Sequence, residues 1–311
     1  MYVHAHAPCR IGIAGGGSDL PAWTRERPGR CLSLAIANYT HVVAITRPDR
    51  QVVAVYRQRD QESAATEIAN GLIRESALAH GWVEGFEVHT ISEMSSRGSG
   101  LGVSSSFAVS LAAAFDRMNA LDKGEDWERV SARIARDAWR VEIDRLRRPI
   151  GRQDHVAAAH GGLRLYAFQE DNASVERSFG EFDARWLADR LLLVQLPDGH
   201  DARAILSGVQ RASQVQISYD AVDIALAGVE TRSIKEVGRA LDHCHMSKKS
   251  IPGAVPRSVA DVIERLRDLP GVCGAKVAGA GGGGHVVLAC EPGAAHAVRI
   301  AAPDLRVSEV R

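Results

Sequence analysis

Arg97-Gly98-Ser99-Gly100-Leu101-Gly102-Val103-Ser104-Ser105-Ser106-Phe107 is the stretch on which the fold turns, and it runs straight into Ala108-Val109-Ser110-Leu111-Ala112-Ala113-Ala114-Phe115. Alternating glycines disfavour regular structure, whereas the alanine-rich continuation favours a helix. The order predicts a loop that feeds a helix N-terminus. Unpaired N–H groups and the positive end of the helix dipole make such a junction an anion site, most often for phosphate. Glycines let the backbone approach a ligand, and the serine hydroxyls add donors or a Mg²⁺ ligand.

The 311 residues suffice for one large or two ordinary domains, and 45% hydrophobic with 24% charged residues describes a soluble globular chain. Lys+Arg and Asp+Glu balance at 38 each. That balance argues against a nucleic-acid or anionic-membrane partner, which would need a basic excess. Cys9, Cys31, Cys244, Cys273 and Cys290 are odd in number and form no Cys-x-x-Cys, which suggests a reduced, cytoplasmic setting. The first residues lack the basic and apolar regions of a signal peptide. Gly98 to Phe115 has the length of a membrane span but is too polar to be one.

Around the opening stretch, the N-terminal residues alternate as a strand and break at Gly15-Gly16-Gly17, after which Ser18 or Asp19 is positioned to cap a short helix from Leu20. Residues 31–37, 41–47, 51–56 and 85–91 read as strands and 61–80 as a helix. Helices are expected over 104–121 and 125–147, with a short one from Gln153 to Gly161-Gly162. Strands 163–168 and 190–196 follow, then a mostly helical 198–268 interrupted at Pro252-Gly253 and Pro256. The end reads as strand 275–278, glycine loop 279–284, strand 285–290 and helix 293–301.

No Gly-Lys-Ser/Thr occurs, so the serine loop is not a Walker A loop, and no glycine stands two residues after Ser104 to make a nucleophile elbow. Gly279-Ala280-Gly281-Gly282-Gly283-Gly284 matches GxGxxG literally. A strand-like His285-Val286-Val287-Leu288 follows it instead of the helix a dinucleotide fold requires, which excludes a dehydrogenase on context. His243-Cys244-His245 lacks the second ligand pair of a closed metal site, and so do His4 and His6. Asp19 at a glycine turn suits sugar hydroxyls or a helix cap, and Asp154 sits at a helix start. Glu142 lies on a charged helix whose plainest reading is a solvated face, and Lys248-Lys249 is either a phosphate contact or a surface pair.

Taken together and in this order, the three glycine segments resemble the GHMP kinase superfamily from Ala7 to about Ile300. The nearest branch is that of heptose-phosphate kinases, with GGGTD-like, GSQDQ-like and GAGGGG motifs. Here these read Gly15-Gly16-Gly17-Ser18-Asp19, Gly151-Arg152-Gln153-Asp154-His155 and Gly279 to Gly284. The resemblance implies a two-domain α+β fold. Residues 1–175 would be of ribosomal-protein-S5 type and 176–311 ferredoxin-like, with ATP and a small-molecule substrate in the cleft between.

The resemblance also implies roles. Gly98, Gly100, Leu101, Gly102, Val103, Ser104, Ser105 and Ser106 would wrap the triphosphate. Ser104 and Glu142 would hold Mg²⁺. Asp154 would sit beside the substrate hydroxyl and Arg10 would face the transferred phosphoryl. Gly16, Gly17, Ser18, Asp19, Arg152, Gly281, Gly282 and Gly283 would surround the substrate. The expected substrate is a sugar or sugar phosphate, heptose 7-phosphate first. Alternatives are a fucose-like sugar, a non-sugar alcohol, or a non-catalytic binding module on the same scaffold. A homodimer stays open. Departures from the branch are Val103 for a serine, Arg152 for a small residue, His155 for a glutamine, Ala37-Asn38 for Asp-Lys and Cys9 for leucine.

Overall fold

The computed structural model describes residues 1–94, 98–119, 126–197, 205–206 and 212–311. Arg97, the 120–125 ends of two expected helices and most of the helical reading over 198–211 lie outside the described residues.

Strand β1 (Tyr2–Ala14) pairs antiparallel along nearly the whole of β2 (Gly29–Thr46). The sequence suggests two strands within β2, but the structure makes one of 18 residues. A slip in register between Pro8 and Cys9 absorbs Ala37-Asn38 as a bulge, which keeps the pairing continuous. The other edge of β2 is shared. Residues 40–46 pair with β5 (Phe86–Ser92), and residues 29–34 pair with β6 (Leu163–Phe168). β3 (Val52–Val55) and β4 (Arg59–Glu62) extend one side, and β7 (Ala173–Ser178) extends the other. A second, antiparallel sheet has the order β11 (Arg306–Glu309), β8 (Leu191–Gln195), β10 (His285–Cys290), β9 (Val272–Val277).

The helices are α1 (Pro21–Thr24), α2 (Gly71–Ala79), α3 (Val103–Asn119), α4 (Trp127–Trp139) and α5 (Gln153–His160). They are followed by α6 (Glu181–Ala188), α7 (Gln216–Glu230), α8 (Ile234–Lys249), α9 (Arg257–Arg267) and α10 (Ala294–Ala301). Leu111, Ala114, Phe115 and Met118 of α3 pack onto Val42, Val88 and Phe86 of the first sheet. Ile11, Ile13 and Leu32 share one apolar cluster with Ala225 of α7, Leu241 of α8 and Val287 of β10. The two sheets therefore meet through a common core, and the functional cleft opens at that seam. Mixed helices and largely antiparallel sheets make this an α+β fold, as the sequence implies.

Three expectations need correction. The helix expected over 61–80 is instead the end of β4, a 3₁₀ turn at Ala65–Glu67 and then α2. Neither Ser18 nor Asp19 caps α1, whose cap position is Leu20 without a side-chain bond. A division after residue 175 would cut β7, so the change of sheet falls between Ser178 and Leu191, across α6. Among the described residues, no helix is long and apolar enough to cross a membrane.

Candidate active site

Gly98 to Gly102 delivers the chain to α3, which begins at Val103. Gly102 has φ +74°, a conformation other residues rarely adopt, and a Cβ there would meet Arg10 at 3.3 Å and Asp154 at 3.4 Å. The loop is tied to β1 from behind. Arg10 N–H donates to the Leu101 carbonyl at 3.0 Å, and the Arg10 guanidinium donates to the Gly100 carbonyl at 2.7 Å. Leu101 itself is fully buried in the core.

The first turn of α3 faces Glu142. Ser104 and Ser105 donate to its two carboxylate oxygens at 2.8 and 2.9 Å. Glu142 is completely buried, because α4 passes at Arg140–Arg145 into a π-turn, a device that re-aims side chains at functional sites. The expected helix over 125–147 therefore does not continue as a regular solvated face. His155 Nε2 lies 2.8 Å from Glu142 Oε2, and Arg148 pairs with Oε1 and reaches Ser104 Oγ at 2.9 Å. Burial pushes this carboxyl up, but His155, Arg148 and Ser104 together outweigh it and hold the pKa at about 2.

Ser104 Oγ and Glu142 Oε1, 2.8 Å apart, are hard oxygen donors already facing a cation. That cation is the Arg148 guanidinium, and the 2.8 Å is the Ser104 hydrogen bond to the carboxylate. The pair fits Mg²⁺ in the chemistry of its donors.

On β1, Arg10 reaches Asp154 at the start of α5, with nitrogens 2.8 and 2.6 Å from Oδ1. Arg10 is almost wholly buried, whereas Asp154 is 24% exposed toward the cleft. Asp19 accepts from the Gln153 backbone N–H at 2.9 Å and from its side-chain amide at 3.2 Å. Burial raises its pKa, and the bond from Gln153 opposes this. Asp19, Gly16 and Gly17 line the cleft beside Asp154. The arrangement offers an anion-binding helix start, an acidic group held by arginine, and a second carboxylate able to accept hydroxyl bonds.

Several expected ligand residues point elsewhere. Ser18 is buried and exchanges bonds with the Arg30 backbone at 2.9 and 3.0 Å, which consumes its hydroxyl. Ser106 turns to β1, donating to Ala7 and Pro8 carbonyls at 2.8 and 3.0 Å. Leu101 contributes core packing, not cleft surface. Arg152 caps the β6–β7 turn through the Gln169 carbonyl at 2.8 Å and the Glu170 carbonyl. Gly281, Gly282 and Gly283 also lie off the wall: Gly282 N–H donates to Ala254 at 2.7 Å, and a Cβ on Gly281 would strike the same carbonyl. Only Gly279 and Ala280 of that loop reach the cleft.

Other residues were not foreseen as site members. Gln153 holds Asp19, and Arg148 and His155 hold Glu142. Lys276 lines the same cleft, and so does Lys248, for which the sequence left a phosphate contact and a surface pair open; each donates to backbone carbonyls. The signal for Arg148 and His155 was their position flanking the Gly151–Asp154 motif.

The cleft encloses about 510 Å³ and is walled by Gly98–Gly102, α3, α5, the Gly15–Asp19 turn and the end of α8. A small molecule fits such a volume. A curated relative from Campylobacter jejuni, D-glycero-alpha-D-manno-heptose 7-phosphate kinase, is 24% identical over 93% of this chain and 90% of its own. The crystal structure of a D-glycero-D-manno-heptose 1-phosphate kinase from Bacteroides thetaiotaomicron superposes with a TM-score of 0.79 at 19% identity, covering 100% of this chain and 96% of that one. Lactococcus lactis galactokinase complexed with galactose gives 0.78 at 15% identity, covering 100% and 93%. Family models for the GHMP kinases N terminal domain and the GHMP kinases C terminal region match residues 64–162 and 225–303, so the chain belongs to the GHMP kinases.

Proposed function

We propose that this chain transfers the γ-phosphoryl group of ATP, with Mg²⁺, to the anomeric hydroxyl of a sugar phosphate, D-glycero-D-manno-heptose 7-phosphate first. The observation that carries the reading is the Arg10–Asp154 contact, 2.8 and 2.6 Å, at the point where the Gly98–Gly102 loop enters α3. The names of the Campylobacter and Bacteroides proteins, both heptose phosphate kinases, support the acceptor class.

Phosphoryl transfer asks the protein for position and charge neutralisation more than covalent chemistry. The N–H groups at the start of α3 receive the phosphates. Ser104 and Glu142 would hold Mg²⁺, which would supply neutralisation of phosphate charge. Asp154 orients the acceptor hydroxyl and takes its proton late in the transfer. Arg10 fixes the Asp154 carboxylate and offers positive charge to the moving phosphoryl. Asp19, steadied by Gln153, accepts bonds from sugar hydroxyls. An anomeric hydroxyl is more acidic than an ordinary alcohol, which eases the demand on Asp154.

A coupled ADP-release screen over sugars, sugar phosphates and polyols tests the reading. Heptose 7-phosphate is expected to give the highest kcat/KM. Turnover confined to unphosphorylated sugars or non-sugar alcohols would remove the sugar-phosphate assignment.

A further inference from the structure

Lys248 and Lys276 stand together on the wall of the cleft, on the α8 and β9 side. Lys276 is 5% exposed and its ammonium donates to the Gly12 and Ile13 carbonyls of β1. Lys248, half-buried, donates to the Val277 carbonyl at 2.5 Å. Neither has a carboxylate partner among the described residues, in contrast to Arg10 with Asp154 and Arg148 with Glu142. An ammonium carries three donors. As ammonium groups Lys276 would spend two donors and Lys248 one, which leaves three unspent donors at one place. Burial lowers both pKa values, Arg10 lowers both further, and Lys276 adds to the lowering at Lys248. Buried charge without a partner is costly, and an anion is what relieves it.

The place matters as much as the charge. Arg10 and Gly12 are two residues apart on β1, about 7 Å along the strand. Arg10 meets the phosphate loop at Gly100, and Lys276 meets β1 at Gly12 and Ile13, beyond Arg10 and toward the Gly15–Asp19 turn. α3, which carries Ser104, meets β1 on the other side of Arg10, where Ser106 donates to the Ala7 and Pro8 carbonyls. The lysines therefore serve the acceptor side of the cleft.

We infer that Lys248 and Lys276 form the site for a phosphate carried by the acceptor itself, the role that Arg152 does not fill. This rests on the proposed reaction only for the name of the acceptor. The phosphate site can be measured without turnover.

Isothermal titration of inorganic phosphate into the protein saturated with AMP-PNP and Mg²⁺ provides the test, because the nucleotide then fills the loop. The wild-type protein is expected to bind phosphate, and Lys248→Met to bind it at least tenfold more weakly. Lys248→Gln, which keeps a donor for Val277, should lose as much. Exposed Lys249→Met should change nothing. Unaltered affinity in the Lys248 variants, or binding that vanishes once AMP-PNP is present, overturns the inference. The second result would assign the lysines to the nucleotide phosphates. A failed heptose 7-phosphate assay with intact, Lys248-dependent phosphate binding would change the acceptor and leave this site standing.

Discussion

Gly98 to Gly102 borders the cleft through Gly98, Ser99, Gly100 and Gly102, whereas Gly279 to Gly284 borders it only through Gly279 and Ala280. The remaining glycines of the second loop serve packing. Gly282 N–H bonds to the Ala254 carbonyl at 2.7 Å, and the Gly284 carbonyl accepts from Leu196 at 2.8 Å. The two loops also touch: a Cβ on Gly100 would lie 2.9 Å from the Ala278 carbonyl, and one on Gly279 would lie 2.8 Å from Gly100. Glycine thus solves two different problems here. In the first loop it leaves backbone surface open to a ligand beside charged groups. In the second it lets three stretches of backbone interleave. Composition does not separate these uses; the neighbours do.

The sharpest way to test what the first loop serves is to alter the charged group it leads to. Asp154→Asn keeps the size of the side chain and one acceptor for Arg10, but removes the charge and the proton acceptor. Turnover should fall by about a thousandfold or more, with the dissociation constant for ATP within about twofold. Steady-state kinetics beside nucleotide titration measures both. Full activity would take Asp154 out of the reaction.

One substitution in each loop then breaks the comparison directly. Gly102→Val places a branched side chain at φ +74° against Arg10 and Asp154, within 3.3 and 3.4 Å, where the nucleotide phosphates are to pass. ATP affinity should drop by about a hundredfold or more, a loss of about 3 kcal/mol. Gly281→Ala, at φ +105° against the Ala254 carbonyl, should instead cost about 1–3 kcal/mol of stability. That appears as a melting temperature lower by several degrees, with ATP affinity nearly unchanged. If Gly281→Ala weakened ATP binding without lowering the melting temperature, the second loop would be a ligand surface and the contrast would fail.

Much of this was legible in the sequence, for identifiable reasons. The glycine-serine run, α3 and the strand after Gly284 follow from local preference, and local preference is what a sequence displays directly. The polar edge strands β4 (Arg59-Asp60-Gln61-Glu62) and β11 (Arg306-Val307-Ser308-Glu309) were not legible, because edges exposed to water carry little apolar alternation. Glu142 read as solvated because helical periodicity assumes regular turns, and the π-turn at Arg140–Arg145 breaks that assumption. Lys276 sits between apolar residues in Ala275-Lys276-Val277, where nothing local distinguishes a charge in a cleft from one in water. The direction of a long side chain is the least legible quantity of all, and Arg152 is the instance.

Arg152 precedes the catalytic-looking Gln153-Asp154 and has the charge for a substrate phosphate. Its guanidinium nevertheless lies 5.7 Å over the Trp139 ring and is spent on the Gln169 and Glu170 carbonyls. Arg152→Ser should therefore have the smallest effect of the set. The KM values for a phosphorylated sugar and for its unphosphorylated counterpart should shift together, by less than about twofold. Stability should fall by about 1 kcal/mol through the lost turn contacts. The pairing with Lys248→Met gives this null result its force. If the two lysines hold the acceptor phosphate, Lys248→Met raises KM for the phosphorylated sugar alone while Arg152→Ser leaves the ratio fixed. A selective rise with Arg152→Ser would mean that the guanidinium leaves the β6–β7 turn when substrate enters, and the acceptor phosphate would then lie on the α5 side of the cleft.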